Sequence, residues 1–417
     1  MINYEITKLD NGATIISEFI PYVKTFSLGF FFDVGSRDED LENNGISHFI
    51  EHMFFKGTEK RSAKKLSDEI ESTGGYLNAF TSKEHTCFYG RGLSKNLAKT
   101  YSVLSDMIQN STFRQSEINK EAGVVIDELY DIEDTPEELI FDKFESNIFS
   151  GNSLAYPIIG TEENIRAFSR EKIVKYINKY YGFDNLVIVA SGYVEHKKLI
   201  KLTEKYFRKD IGKTQARRKE VSVQSVKDMV ISKEIQQTHM ILGTPTFGFN
   251  NIPERTAVNI LSQILGEGSS SRLFQRIREK NGIAYQINTF LNSFYDISTF
   301  GAYISTNEKS FGKARKLIFE EFKKIKSKQV SDQELKRAKE YLKGSILMSM
   351  ESTTNRMIRM AQSYIYFNKI HSVEESVELI DAVDKVKVME LANLLLTDEN
   401  LTKVIICSDE NAVEEAA

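Results

Sequence analysis

The sequence predicts a chain of mixed strands and helices built as two similar domains, and three observations carry that prediction. Its 417 residues exceed what one hydrophobic core usually organises. Strand-like and helix-like patterns alternate through the first half. The second half then repeats the order, with two local echoes described below.

In the first half, residues 13–19 and 25–34 are rich in β-branched and aromatic side chains and read as strands, the second closed by Gly35. A helix is expected from Ser47, a candidate cap, to Gly57, a candidate stop, with Ile46, Phe49, Ile50, Met53 and Phe54 on its apolar side. Next come a helix over 63–72, a strand over 76–90, helical stretches over 95–110 and 115–149, and a closing strand over 185–190. A polar, basic stretch over 209–227, with Lys213, Arg217, Arg218 and Lys219, reads as a connection. It divides the chain into domains 1–212 and 228–417.

The second half opens its repeat with a strand over 240–243, helices over 254–265 and 271–280, and strands within 284–305. Glu117-Ile118-Asn119-Lys120 is echoed by Glu334-Leu335-Lys336-Arg337 at the start of a long helix, and the strand at 185–189 by the one at 400–406. Sliding the first of these helices onto the second without gaps puts Ser345 where Glu128 stands. Duplication is inferred, with chemistry kept in one copy.

Composition narrows the class. With 41% hydrophobic and 27% charged residues, the chain reads as soluble and globular. A net charge of −4 argues against nucleic acid as a partner. No signal peptide is expected, nor any membrane span. Cys87 and Cys407, the two cysteines, are too far apart in sequence for a paired metal motif or a disulfide framework, and a reducing cytoplasm is the simplest location.

The chemistry starts at Gly45-Ile46-Ser47-His48-Phe49-Ile50-Glu51-His52. Four residues apart on a helix, His48 and His52 lie about 40° from each other on one face, so both imidazoles can grip one ion. Glu51 is badly placed as a ligand beside them and well placed to take a proton from a water. This is H-x-x-E-H, the reverse of the commoner H-E-x-x-H zinc motif. A catalytic zinc needs a third protein ligand and an open position. Glu121 and Glu128, two turns apart on a second helix, offer one carboxylate to ligate and one to steer a ligating imidazole.

With these residues the sequence resembles the pitrilysin/insulinase group of zinc metallopeptidases, most closely its mitochondrial-processing-peptidase-like branch. Glu128 lies 128 − 52 = 76 residues past His52, the spacing of the family's third ligand, and Glu121 matches the family's second glutamate. The resemblance also covers Gly74 through Ser82, Tyr156 through Glu163, Ser270 through Phe274 and Arg278 through Tyr285. It implies an α+β fold of two similar domains, each a β-sheet covered by helices, facing each other across a chamber.

It further implies one Zn²⁺ per chain on His48, His52 and Glu128, with Glu51 as base and Glu121 behind a ligand. Arg278 and Tyr285 become donors to the substrate, the bland alternative being a surface arginine and strand filler. Asn78 and Ala79 become an edge that accepts an extended peptide, and Phe55 a pocket wall. The expected activity is zinc-dependent endopeptidase action by a homodimer. The rival reading is a non-catalytic or heteromeric subunit, although such relatives usually lose ligands or base and this chain keeps them.

Between Val124 and Glu145 stand nine acidic residues and one lysine. This run is first a solvated face, and second a reason to expect basic, unfolded peptides as substrates. His85, His239 and His371 have no ligand-like partner at helical spacing and are read as structural. Gly266 through Ser271 lacks the lysine of a phosphate loop and is read as a turn with a helix cap.

Overall fold

The structure, a computed structural model, describes residues 4–207, 218, 221 and 228–408. The chain forms two compact units, each assembled from separate stretches. The first comprises Met1–Tyr130, Tyr156–Lys219 and Met348–Ser372, and the second Asp131–Ala155, Glu220–Leu347 and Val373–Ala417. The division expected at 212/228 is contiguous, whereas here each unit takes in a helix from the other half of the sequence. Most of the expected connection, 209–227, lies outside the described residues. Of its basic residues Arg218 is described, and it is held in ion pairs with Asp33 at 2.7 Å and Asp38 at 2.9 Å.

The first unit holds strands β1 (Tyr4–Lys8), β2 (Thr14–Phe19), β3 (Thr25–Phe32), β4 (Tyr76–Thr81), β5 (Thr86–Leu93) and β6 (Leu186–Gly192), in the order β1-β2-β6-β3-β5-β4. β2 and β6 are parallel and every other pair is antiparallel. The single strand expected over 76–90 is a hairpin. Residues 82–85 make its turn, where Ser82 accepts from the backbone N–H of His85 and donates to its carbonyl.

The second unit holds β7 (Met229–Ser232), β8 (Thr238–Phe247), β9 (Gln286–Ser293), β10 (Ile297–Thr306) and β11 (Thr402–Cys407), in the order β7-β11-β8-β10-β9. β7 and β11 are parallel, and the remaining pairs antiparallel. Strand for strand this repeats β2-β6-β3-β5-β4 with the same pairing senses, so the duplication extends well beyond the two sequence echoes.

Each sheet buries one face under a helix from the other half of the sequence. In the first unit, helix Thr353–Phe367 sets Met357, Met360 and Ala361 against Ile16, Phe31 and Val189. In the second, helix Pro136–Ile148 sets Leu139, Ile140 and Phe144 against Ile241, Tyr303 and Val404. Phe144 lies so close to β8 that a Cβ on Gly243 would meet its ring at 2.4 Å, which fixes glycine there. Truncating Phe144 to alanine removes a fully buried ring, and such changes cost about 3–5 kcal/mol.

The helical stretch expected over 115–149 is two helices, Gln115–Asp134 and Pro136–Ile148. Thr135 sits between them in extended geometry, because the residue before a proline is pushed out of the helical region. The chain passes from the first unit to the second beside this break. Among the described residues no helix is long and apolar enough to cross a membrane.

Candidate metal centre

The first unit builds its site on helix Ile46–Phe54. Its apolar side packs as expected, with Ile46, Phe49, Ile50, Met53 and Phe54 all buried. Its start differs from expectation: Ser47 lies inside the first turn, and the N-cap is Gly45 in the left-handed region at φ 96°. A Cβ there would also meet the Ile159 carbonyl at 2.6 Å. The capping acceptor comes from outside the helix.

That acceptor is Glu39, whose carboxylate receives the backbone N–H of Gly45 at 2.7 Å and of Ser47 at 2.8 Å, and the Asn44 amide at 3.0 Å. Burial drives its pKa from 4.5 up to about 7, against the lowering effect of these bonds. The Ser47 hydroxyl meets the Tyr176 hydroxyl at 3.0 Å instead of capping. At the other end the helix stops at Phe54, with half-buried Phe55 as C-cap and Gly57 two residues beyond at φ 110°.

His48 and His52 leave the half-open face with ring centroids 4.6 Å apart. Glu128, from helix Gln115–Asp134, reaches both: its Oε1 lies 3.7 Å from His48 Nε2 and its Oε2 3.7 Å from His52 Nε2. The three donors lie within 4.8 Å of one another. Ligands bound to one zinc at about 2.1 Å stand about 3.4 Å apart in a tetrahedron, so the group fits such an ion with small adjustments. Two neutral imidazoles and a carboxylate are also a suitable donor set.

Electrostatics supports the fit for His48. Burial, and then the neighbouring His52, lower its pKa from 6.5 to about 4, which keeps the imidazole neutral. Its Nδ1 is buried and has no hydrogen-bond partner among the described residues. His52 is steered from behind. Its Nδ1 meets Glu121 Oε1 at 2.9 Å, and burial, which lowers its pKa, is outweighed by Glu121 and the other nearby carboxylates.

Glu121 is itself pinned by the Lys56 ammonium on its other oxygen. Burial pushes its pKa up, but His52 and Lys56 bring it below the ordinary value. With Glu121 ionised, His52 carries its proton on Nδ1 and turns Nε2 toward Glu128.

Glu51 stands beside the donors without joining them. Its Oε2 accepts from the Thr81 hydroxyl at 2.5 Å, and Thr81 is the last residue of β4. Burial raises the Glu51 pKa, against the lowering effect of this bond. The sequence reading missed Thr81, Lys56 and Glu39. Thr81 and Lys56 lie inside stretches already singled out by motif, whereas Glu39 had no signal of its own.

β4 forms an edge of its sheet and carries both expected contact residues. Asn78 is exposed, and its Oδ1 takes the Ala79 N–H at 2.9 Å, a bond that an added strand could replace. In the second unit Arg278 lies in the last turn of a short helix, Phe274–Glu279, and its guanidinium covers the Tyr285 ring at 5.3 Å and the Phe274 ring at 4.9 Å. Tyr285 is 74% exposed, so the plain strand-filler alternative does not describe it.

The structural readings of two other histidines find partners: His85 lies near Gln362 and His239 meets the Tyr303 hydroxyl at 2.9 Å. Among the described residues His48, His52 and Glu128 are the one cluster of its kind.

This architecture and donor set are those of a two-domain α+β chain with a candidate metal site, and comparison with known proteins specifies the family. Residues 14–162 match the family described as Insulinase (Peptidase family M16), and residues 167–342 the Peptidase M16 inactive domain. A protein from Rickettsia bellii called an uncharacterized zinc protease is 33% identical over 405 residues, covering 97% of each chain. One of the same description from Bacillus subtilis is 34% identical over 391 residues, covering 93% of this chain and 95% of its own. Among solved structures, a protease from Helicobacter pylori superposes with a TM-score of 0.90 at 22% identity, covering 98% of this chain and 100% of its own, a likeness of fold. The chain belongs to peptidase family M16.

Proposed function

We propose that the chain is a zinc-dependent endopeptidase acting on extended peptides, with His48, His52 and Glu128 as ligands of one Zn²⁺ and Glu51 as the base. The observation that carries this reading is the convergence of three donors from two helices within 4.8 Å, with a carboxylate held beside them by Thr81. Bound there, zinc would supply Lewis acidity toward a peptide carbonyl and toward water.

The protein's own residues do the rest. Glu51 takes the proton of the attacking water through Oε1, since Thr81 occupies Oε2, and returns it to the departing amine. Glu121 and Lys56 hold the His52 ring. The edge of β4 at Asn78 and Ala79 pairs with the backbone of the substrate, which favours extended, unfolded segments over a particular sequence. Phe55 contributes a pocket wall, and Arg278 with Tyr285 donates to a substrate carbonyl. The acidic run from Val124 favours basic peptides.

The same reading places the protein in the cytoplasm, supported by a content of only two cysteines, both buried, and as a homodimer, supported by the resemblance of a chain of this length to paired family members.

The test is metal analysis and peptide cleavage by the purified chain beside Glu51→Gln. The wild type should hold about one zinc and cleave. The variant should keep the metal and lose about a thousandfold in rate, because the base is not a ligand. A metal-loaded but inert wild type would instead favour a subunit that needs a different partner chain. A wild type that binds no zinc would end the proposal.

A further inference from the structure

In the second unit a cavity of about 800 Å³ opens between the turn before helix Phe274–Glu279, the last turns of helix Glu308–Ser327 and the first turns of helix Asp332–Ser349. Six of its lining residues are basic, Arg272, Arg276, Lys280, Lys324, Lys328 and Arg337, against two acidic ones, Glu321 and Glu334. Glu320, just outside this lining, also pairs with Arg276, and the remaining surplus of three positive charges in one concave surface attracts anions.

The two carboxylates serve to build the wall. Glu334 receives Arg272 through bonds of 2.8 and 3.2 Å, and also accepts the Ser331 N–H and hydroxyl, each at 2.9 Å. Burial raises its pKa, yet these bonds hold it down to about 2, so the pair stays charged. Glu321 receives Arg276, and Lys324 at 2.9 Å. Both guanidinium forks are thereby held in place, with less freedom to lose on meeting a ligand.

The remaining cations are Lys280, Lys328 and Arg337. Lys280 and Lys328 are exposed and have no ion-pair partner among the described residues. Arg337 spends one nitrogen on the Ser270 carbonyl at 3.0 Å. Deeper in the wall, Ser271 is 1% exposed and its hydroxyl has no hydrogen-bond partner among the described residues. A buried hydroxyl without a partner is costly, and a ligand oxygen would relieve it.

We propose that this cavity binds an oligophosphate chain, inorganic or carried by a nucleotide, with Lys280, Lys328 and Arg337 around the charge and the Ser271 hydroxyl donating to one phosphate oxygen. An oligophosphate suits the cavity because it has several charges spaced along a chain, as the cations are spread over three elements. A single orthophosphate could engage only part of the set. The site shares no residue with those assigned to peptide cleavage, although Arg276 and Lys280 flank Arg278, and it stands whether or not that assignment holds.

The test is calorimetric titration of the full chain with sodium tripolyphosphate. Wild type should bind at micromolar to submillimolar concentration, more weakly as salt rises. Lys280→Ala with Lys328→Ala should weaken binding by at least about tenfold, the size expected for lost charge-assisted bonds. Ser271→Ala should weaken it severalfold with an unchanged melting temperature, since its hydroxyl has no partner to lose among the described residues.

The control pair Lys197→Ala with Lys198→Ala, on helix His196–Tyr206 of the first unit, should leave binding unchanged. Adenosine triphosphate binding as tightly as tripolyphosphate assigns recognition to the phosphates, and tighter binding adds the nucleoside. No heat with tripolyphosphate at millimolar concentration would overturn the proposal, as would equal losses in the cavity and control pairs.

Discussion

Two helices follow equivalent strands of the duplicated sheets, and only one carries histidines. In the second unit, four residues (248–251) separate β8 from helix Ile252–Leu265, and that helix is buried along most of its last three turns. In the first unit, thirteen residues (33–45) separate β3 from Ile46–Phe54, and the helix keeps His48, Glu51 and His52 on a half-open face. The longer connection brings Glu39 to the helix start. One topology therefore supports a packing helix or a ligand-bearing one. The choice lies in a loop and a few side chains, and the sheets repeat regardless.

The sharpest way to break this comparison is to give the first unit what the second has. Glu128→Ser installs the residue found at the gaplessly aligned position, Ser345, and leaves two imidazoles with no carboxylate. Metal content after dialysis should fall from about one per chain to near zero, and cleavage should vanish with it, since a catalytic zinc needs about three protein ligands. The reciprocal Ser345→Glu should recruit no metal in the second unit, where no H-x-x-E-H supplies the imidazoles. Retained zinc in Glu128→Ser would mean that the donor set has been drawn wrongly.

Next in size is the contribution of the longer loop. The Glu39 pKa in the fold, about 7, lies above its ordinary 4.5, so its contribution to stability is fully present below about pH 4.5 and is lost as the pH rises through about 7. The total is about 3 kcal/mol. Glu39→Gln keeps an acceptor at the helix start and removes the titration. Denaturant unfolding of the metal-free protein at pH 5 and pH 8 should show the wild type losing stability relative to the variant by about that amount. Parallel pH dependences would show that the carboxylate is charged throughout and that its N–H donors outweigh burial.

What was legible in the sequence follows from this contrast. The apolar side of the motif helix, its two histidines and the spacing to Glu128 were readable because helical periodicity converts directly into a shared face. The hairpin over 76–93 was not, since residues 82–85 carry none of the glycine or proline that marks most tight turns; the Ser82 side chain makes the turn. β1 and β7 are both short edge strands; β1 has no continuous apolar run, and that of β7, Met229 to Ile231, is too short to read as a strand. The helix exchange between units was invisible because it depends on long-range packing by Met357 and Phe144. Glu39 was hidden for the same reason: a capping residue seven positions ahead of its helix leaves no local pattern.

The smallest expected effect concerns Lys56, which the second unit has no cause to imitate. Its ammonium sits on the Glu121 oxygen that His52 does not use, so it touches neither donor nor substrate in the arrangement described. Its influence must pass through Glu121, by keeping that carboxylate ionised and oriented toward Nδ1 of His52. Lys56→Met keeps the aliphatic stem and removes the charge. Zinc affinity, measured by competition with a chelator, should fall about tenfold, the lower end of what removing an outer partner costs a metal site. Lys56→Arg should restore most of it. Cleavage per bound zinc should change little in either variant, because Glu51 and Thr81 are untouched. A loss of cleavage at full zinc occupancy would instead make Lys56 a participant in the reaction and remove it from the support of His52.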